Sequence, residues 1–253
     1  MDGLTGFFST PPANLEALAD RWPQLLEGAG VTMALTLGGA AGAMLIALVF
    51  GIAQTVKLAV VRVIARVFVE VFRGTSLVVQ LFWLFFVLPL LGWELEPMLC
   101  GILALSLNYG AYGAEVVRGS IQSVPKGQYE AISALSLSPA RGMFRIIIPQ
   151  AWALMIPSLS NLLIQLLKGT AIVNLITLAD LFFQIEQLRR TTGTWFAFLV
   201  GLAMYFVLAW VLVIFMNALE VRAKHRIGRG PALKDSLGSL LRAPGSNVRG
   251  EVA

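Results

Sequence analysis

The chain has 253 residues, 57% of them hydrophobic and only 13% charged, with a mean hydropathy of +0.79 and a formal net charge of +5. A soluble domain carries about a quarter charged residues, so this composition excludes a soluble globular protein and identifies an integral membrane protein. A single cysteine, Cys100, permits no internal disulfide or cysteine metal cluster, and the lone histidine, His225, supports no metal site or histidine-based acid–base machinery.

Residues 1–27 contain Pro11-Pro12 and Trp22-Pro23 and lack the basic region, apolar core and small-residue cleavage site of a signal peptide. They are expected as an extracytoplasmic segment, with the first span itself acting as the insertion signal. Uncharged stretches then run over 28–56, 74–93, 97–114, 146–167 and 191–219. A helix needs about 20 apolar residues to cross a hydrocarbon core of roughly 30 Å, so these stretches predict five transmembrane helices, the third the least apolar. Their periodicity is helical or apolar all round, and backbone groups in lipid must pair internally, which favours an all-α bundle over a barrel. The transmembrane domain is placed at 28–220.

Glu70 and Arg73 stand one helical turn apart before the second stretch, and their expected role is a structural charge pair near the cytoplasmic end of that span. Glu115 and Arg118 are read in the same way.

The hydrophilic insert 118–150 interrupts the spans. Ser123, Pro125 and Glu130 predict a helix start, because proline is pre-set for the first turn and a carboxylate favours the positive end of the helix dipole. Ser138-Pro139 predicts a second short helix. Lys126, Glu130, Arg141 and Arg145 break any apolar stripe, so these helices make poor membrane anchors and a plausible handle for a soluble partner.

In the fourth stretch Asn161, Gln165 and Lys168 recur at i, i+4 and i+7 on one face, followed by Thr170. A cation there must pair, snorkel or face water. Two readings stand side by side: a polar wall of a solute path, and interhelical glue between two subunits. The tail 221–253 is rich in Gly, Pro, Ser and Arg without apolar periodicity and is expected to be disordered. With the N-terminus outside and the C-terminus in the cytoplasm, fourteen of the nineteen basic residues fall on inner segments, as short positive loops require. The net charge therefore reflects topology and not nucleic-acid binding.

These residues carry a resemblance. Glu130-Ala131-Ile132, Ser136 and Ile146-Ile147-Ile148-Pro149 keep the spacing of the cytoplasmic signature Glu-Ala-Ala, three residues, Gly, nine residues, Ile-x-Leu-Pro. Ile132, Ser136 and Ile148 stand where the pattern has Ala, Gly and Leu. Glu70 to Thr75, Val79 to Phe82, Tyr109 to Glu115 and Val124 to Gln128 add further similar segments. Over roughly residues 24–220 the chain resembles the permease subunit of a binding-protein-dependent ATP-binding-cassette importer of the polar amino-acid, histidine/glutamine type.

The resemblance implies a type I importer permease fold with a coupling helix, and assigns Glu130, Ala131, Ser136, Ile146, Ile148 and Pro149 to ATPase coupling. It further implies an inner-membrane, multi-pass location and four kinds of surroundings: ATPase subunits, a second permease subunit of the same or another sequence, an extracytoplasmic solute-binding protein and the lipid bilayer. The chain has no Gly-x-x-x-x-Gly-Lys-Ser/Thr loop, so ATP and Mg²⁺ are assigned to the partner ATPase and no cofactor to this chain. Arg118-Gly119, Gln128-Tyr129-Glu130 and Leu188 to Gly193 look most like ectoine and hydroxyectoine permeases, with polar amino-acid permeases as the alternative. Lys168-Gly169-Thr170 departs from the Lys-Asp-Thr of related permeases and weakens transfer of a cationic amino-acid site. A non-catalytic membrane scaffold is the competing class; acid–base pairs or metal ligands for a membrane enzyme are missing apart from the isolated Glu70 and Glu115.

Overall fold

Long uncharged sequence with internally paired backbone dictates helices, and helices are the only regular structure among the described residues. The structure is a computed structural model describing residues 11–226, with side chains from 13 to 223. The first ten residues and most of the tail 221–253, with its expected disorder and His225, lie outside the described side chains. In chain order the helices are α1 (Pro11–Ala53), α2 (Ala59–Gly74), α3 (Leu77–Phe82), α4 (Pro97–Gln122), α5 (Lys126–Ala134), α6 (Pro139–Gly142), α7 (Ile148–Gly169), α8 (Leu181–Thr192) and α9 (Thr194–Arg226).

Segments 13–53, 139–176 and 194–223 are long and apolar enough to cross a membrane, and α2 with the segment through Leu91 makes a fourth if the bent pair is one span. α4 has 26 residues, about 39 Å at the helical rise, but carries Asn108, Tyr109, Glu115 and Arg118. Residues 11–27, expected as a separate extracytoplasmic segment, are the first turns of α1.

The second expected span, 74–93, contains the helical segment Leu77–Leu91, which meets α2 at 100° across Thr75-Ser76. α2 begins at Ala59, well before the uncharged stretch, because Arg62, Arg66, Glu70 and Arg73 fall on one face of an otherwise apolar helix.

Two prolines are accommodated in the same way. After α3 comes a wide π-helical turn, Trp83–Val87, then Leu88-Pro89; after α6 comes another, Met143–Ile147, then Ile148-Pro149. In each, the residue before the proline donates its N–H five residues back, Leu88 to Trp83 and Ile148 to Met143. A proline inside a regular helix clashes with the preceding turn and lacks an N–H, and a wide turn supplies the room. The predicted second short helix at Ser138-Pro139 is thereby not free-standing: α6, the wide turn and α7 run on into one another.

The chain clusters into two compact units. One comprises, among the described residues, 11–41 with 76–106 and 165–209. Leu25, Leu181, Ile185, Leu188 and Ala197 form its apolar cluster. Asp180 caps α8, its Oδ1 accepting from the Phe183 N–H at 2.9 Å, and the Leu181 N–H donates to Thr32 Oγ1 on α1 at 3.1 Å. A methyl on Gly28 would lie 2.8 Å from the Asp180 carbonyl oxygen, so only glycine permits this approach of α1 to the cap.

The other unit comprises, among the described residues, 42–75, 107–164 and 210–226. Here α1 meets α4 through small residues: a Cβ on Gly113 would sit 2.8 Å from that of Ala47, and one on Gly110 would sit 2.7 Å from that of Ile46. Close backbone approach through small side chains is the usual packing of helices in lipid, where the apolar effect between helices is weak. α2 packs on α4 through Val69, Ala111 and Ala114, with Phe50 and Phe68 stacked at 3.9 Å between ring centroids.

Candidate coupling and pathway sites

The candidate coupling segment is built on a continuous apolar base. Ile121 on α4 and Val124 just past its end, Ile132 on α5, Ile147 on the wide turn, and Ala151 and Met155 on α7 belong to one buried cluster. Tyr129 reaches from α5 and donates its hydroxyl to the Ile121 carbonyl at 2.8 Å, and Gln150 Nε2 donates to Gln128 Oε1 at 3.2 Å. α5 is thus fastened on its inner face by packing and by two side-chain hydrogen bonds. Its motion must follow that of the long helices on either side.

The opposite face is open. Glu130 and Ala131 are exposed, as are Leu135 and Phe144, at 68% and 63%, with Arg141 and Arg145 beside them in sequence. An acid and two large apolar side chains turned outward from a rigid base suit docking into a groove. Of the remaining assigned coupling residues, Ile146 and Ile148 are half-buried and Pro149 exposed. The buried anchor is Ile147, the position between them, at 1% exposure.

Ser136 ends α5 in a conformation that its sequence context did not reveal. Its φ of 52° lies in the left-handed region. The Ser136 N–H donates to the Ser133 carbonyl and the Leu137 N–H to the Ile132 carbonyl, and Leu137 packs on the cluster containing Ile132. These are the two bonds and the apolar contact of a Schellman stop, whose left-handed residue is usually glycine. The similarity pattern's glycine is therefore explained by backbone conformation.

Ile132 and Gly142 are matched: a Cβ on Gly142 would meet Ile132 Cγ2 at 2.6 Å. Ile132 fills the room that the glycine leaves, which accommodates the departure from alanine at that position.

In the candidate pathway, Asn161, Gln165 and Lys168 are all exposed along α7. Thr170 stands apart from them. It is fully buried, and its hydroxyl donates to the Leu167 carbonyl at 2.7 Å. Glu70 and Arg73 form the expected pair, Nη1 to Oε1 at 3.5 Å, with side-chain exposures of 63% and 32%. The pair stands at the end of α2 beside α4. Arg73 carries a contact that sequence did not reveal: its guanidinium lies 5.4 Å from the ring centroid of Tyr112, whose hydroxyl donates to the Arg73 carbonyl at 3.3 Å. Glu115 and Arg118 pair at 2.6 Å, and Arg118 also donates to Gln122 at 3.1 Å.

Tyr129, Ile147, Gly142 and Tyr112 escaped sequence reasoning because their importance depends on neighbours distant in the chain. Leu135 and Phe144 left a signal: large apolar residues in an otherwise polar insert.

Comparison with known proteins agrees with this geometry. The chain is 46% identical over 201 residues to the probable amino-acid ABC transporter permease protein y4tF of Sinorhizobium fredii, covering 77% of this chain and 84% of that one. It is 35% identical to the glutamine transport system permease protein GlnP of Escherichia coli, covering 80% and 94%. The crystal structure of an amino acid ABC transporter with histidines superposes with a TM-score of 0.74 at 31% identity, covering 81% of this chain and 96% of that one. This is the type I importer permease fold. Residues 39–225 match the family of binding-protein-dependent transport system inner membrane components, and the chain belongs to that family.

Proposed function

We propose that the chain is the membrane-spanning and coupling subunit of an importer for an amino acid or a closely similar zwitterion, driven by ATP hydrolysis on separate subunits. The observation that carries the reading is the fastened coupling helix. α5 is held inside by Tyr129 and Ile132 and presents Glu130, Ala131 and Leu135 outward. A short rigid element gripped by a soluble ATPase transmits rigid-body movement to α4 and α7. Glu130, Ala131, Ser136, Ile146, Ile148 and Pro149 belong to that coupling segment, with Ser136 shaping its backbone. ATP and Mg²⁺ reside on the ATPase, a second permease subunit completes the path, and an extracytoplasmic binding protein delivers the solute at the cell's inner membrane. Asn161, Gln165 and Lys168 are the candidate path residues on α7.

The relatives' names favour amino acids over ectoine: y4tF is named for amino acids and GlnP for glutamine. Ectoine nonetheless remains one of the solutes to be tested. Reconstitution with the cognate ATPase, second permease and binding protein, followed by ATP-dependent uptake of labelled glutamine, cystine, arginine and ectoine, tests the reading. Uptake of one of these is the expected result, and failure of the chain to co-purify with any ATPase overturns it. Glu130→Lys is expected to lose ATPase co-purification while the permease still inserts, because reversal at a charge-paired contact places like charges together. Co-purification equal to the parent removes Glu130 from docking.

A further inference from the structure

Asp180 is fully buried, and only half of its carboxyl is used. Oδ1 accepts from the Phe183 N–H, while Oδ2 has no hydrogen-bond partner. The Tyr205 hydroxyl on α9 is buried as well, lying among Asp180, Thr32 and Thr170 without a well-formed bond to any of them. The four residues belong to one compact unit but come from separate elements. Thr32 stands on α1, Thr170 opens the turn Thr170–Ile176 after α7, Asp180 caps α8, and Tyr205 stands on α9.

The count of hydrogens decides what this knot does. Thr170 donates its hydroxyl hydrogen to the Leu167 carbonyl at 2.7 Å, so toward Tyr205 it can only accept. Thr32 Oγ1 already accepts from the Leu181 N–H. Tyr205 has a single hydrogen to donate. With a proton on Oδ2, Asp180 donates to Tyr205 and Tyr205 donates on to Thr170, an unbroken chain from the α8 cap through α9 to the turn after α7. Without that proton the buried carboxylate takes the Tyr205 hydrogen for itself, because an ionised group left without a donor is far more costly than an unpaired hydroxyl oxygen. The Thr170 end of the chain is then released.

No charged side chain overrides this choice. Glu27 on α1, Lys168 on α7 and Arg190 on α8 are exposed, and Glu186 on α8 is paired with Arg189 at 2.9 Å. Among the described residues the titratable group facing Asp180 is Tyr205. Burial raises the Asp180 carboxyl, and the N–H groups of the cap lower it by less. A metal cation in place of the proton would stand at the positive end of α8, where the helix dipole opposes it.

We propose that Asp180 is a proton site that controls the opening of this unit: a bound proton clasps the α8 cap to α9 and to the turn after α7, and its release frees that turn to move. The distribution of basic residues puts this end outside, so the clasp answers to the acidity of the exterior. Its effect on uptake rests on the importer reading above; the clasp itself does not.

Hydrogen exchange over residues 170–177 of the full chain in detergent, corrected for the pH dependence of the intrinsic rate, reads the clasp. The parent is expected to exchange about tenfold more slowly at pH 5 than at pH 7.5. Asp180→Asn keeps the cap oxygen and gives Tyr205 a permanent donor, so this turn is expected to exchange slowly at both pH values. Tyr205→Phe removes the one hydrogen in question, so the turn is expected to exchange fast at both. A parent turn whose exchange ignores pH overturns the inference, and so does a pH dependence that survives in either variant. Protection that follows sodium concentration at fixed pH makes the occupant a cation and also overturns it. In proteoliposomes of the assembled transporter, parent uptake is expected to fall at an external pH of 5 relative to 7.5, with a flatter profile for Asp180→Asn; equal profiles overturn the effect on uptake. A parent complex that transports no solute and binds no ATPase overturns the importer reading, while the exchange result still decides the clasp.

Discussion

Ile132 sits directly over Gly142, so close that a methyl on the glycine would fall 2.6 Å from Ile132 Cγ2. Gly142→Ala is therefore expected to destabilise the coupling segment by about 1–3 kcal/mol through overpacking. Adding Ile132→Ala should relieve that clash, so the double variant is more stable than the sum of the two single losses predicts. Thermal unfolding of the four detergent-solubilised proteins measures the coupling. Strict additivity contradicts the packing relationship.

Ser136 holds a left-handed backbone at the end of α5. Ser136→Gly is expected to stabilise the segment by up to about 1 kcal/mol, and Ser136→Val to destabilise it by more, since a β-branched residue resists positive φ. Local hydrogen exchange across 131–139 reads both effects. Equal exchange in parent and glycine variants removes the strain argument.

Asp180 gives a pH dependence of definite sign. Burial pushes its carboxyl up from 3.8 to about 6, against the lowering influence of the Phe183 N–H bond. Its Oδ2 is buried without a partner. Between these values the folded protein holds a proton that the unfolded chain has released. This contribution to stability is therefore greatest below pH 4, falls as pH rises, and levels off above pH 6, a change of up to about 3 kcal/mol. Asp180→Asn keeps a cap oxygen and removes the titration. Melting temperatures at pH 4.5 and 7.5 are expected to differ more for the parent than for Asp180→Asn, and equal differences refute the assignment.

The orientation drawn from basic residues has a direct test. Ser123 and Glu94 are both exposed. Cysteines introduced at these positions, on a Cys100→Ala background, should react with a membrane-impermeant reagent from opposite sides: Glu94→Cys from outside and Ser123→Cys only after the cytoplasmic face is opened. Equal labelling of both from outside refutes the topology.

Sequence by itself determined the class, the five apolar stretches and the place of the short-helix insert, because these follow from local quantities: hydropathy over about 20 residues, basic residues between spans, and the spacing from Glu130 to Pro149. Proline and serine also marked the start of α5 and of α6 correctly, since their preferences act within one turn. The tertiary structure decided everything that depends on contact between distant residues. It bent the chain by 100° at Thr75-Ser76, joined α6 to α7 through a wide turn before Pro149, and turned Thr170 inward while leaving Lys168 exposed. It set Tyr129 against Ile121, Ile132 against Gly142 and Arg73 over Tyr112. Apolar periodicity tells which face of a helix avoids water, but in a chain this apolar most faces do so. Which of them meets a neighbouring helix is fixed by side-chain shape and hydrogen-bond satisfaction across the packed unit.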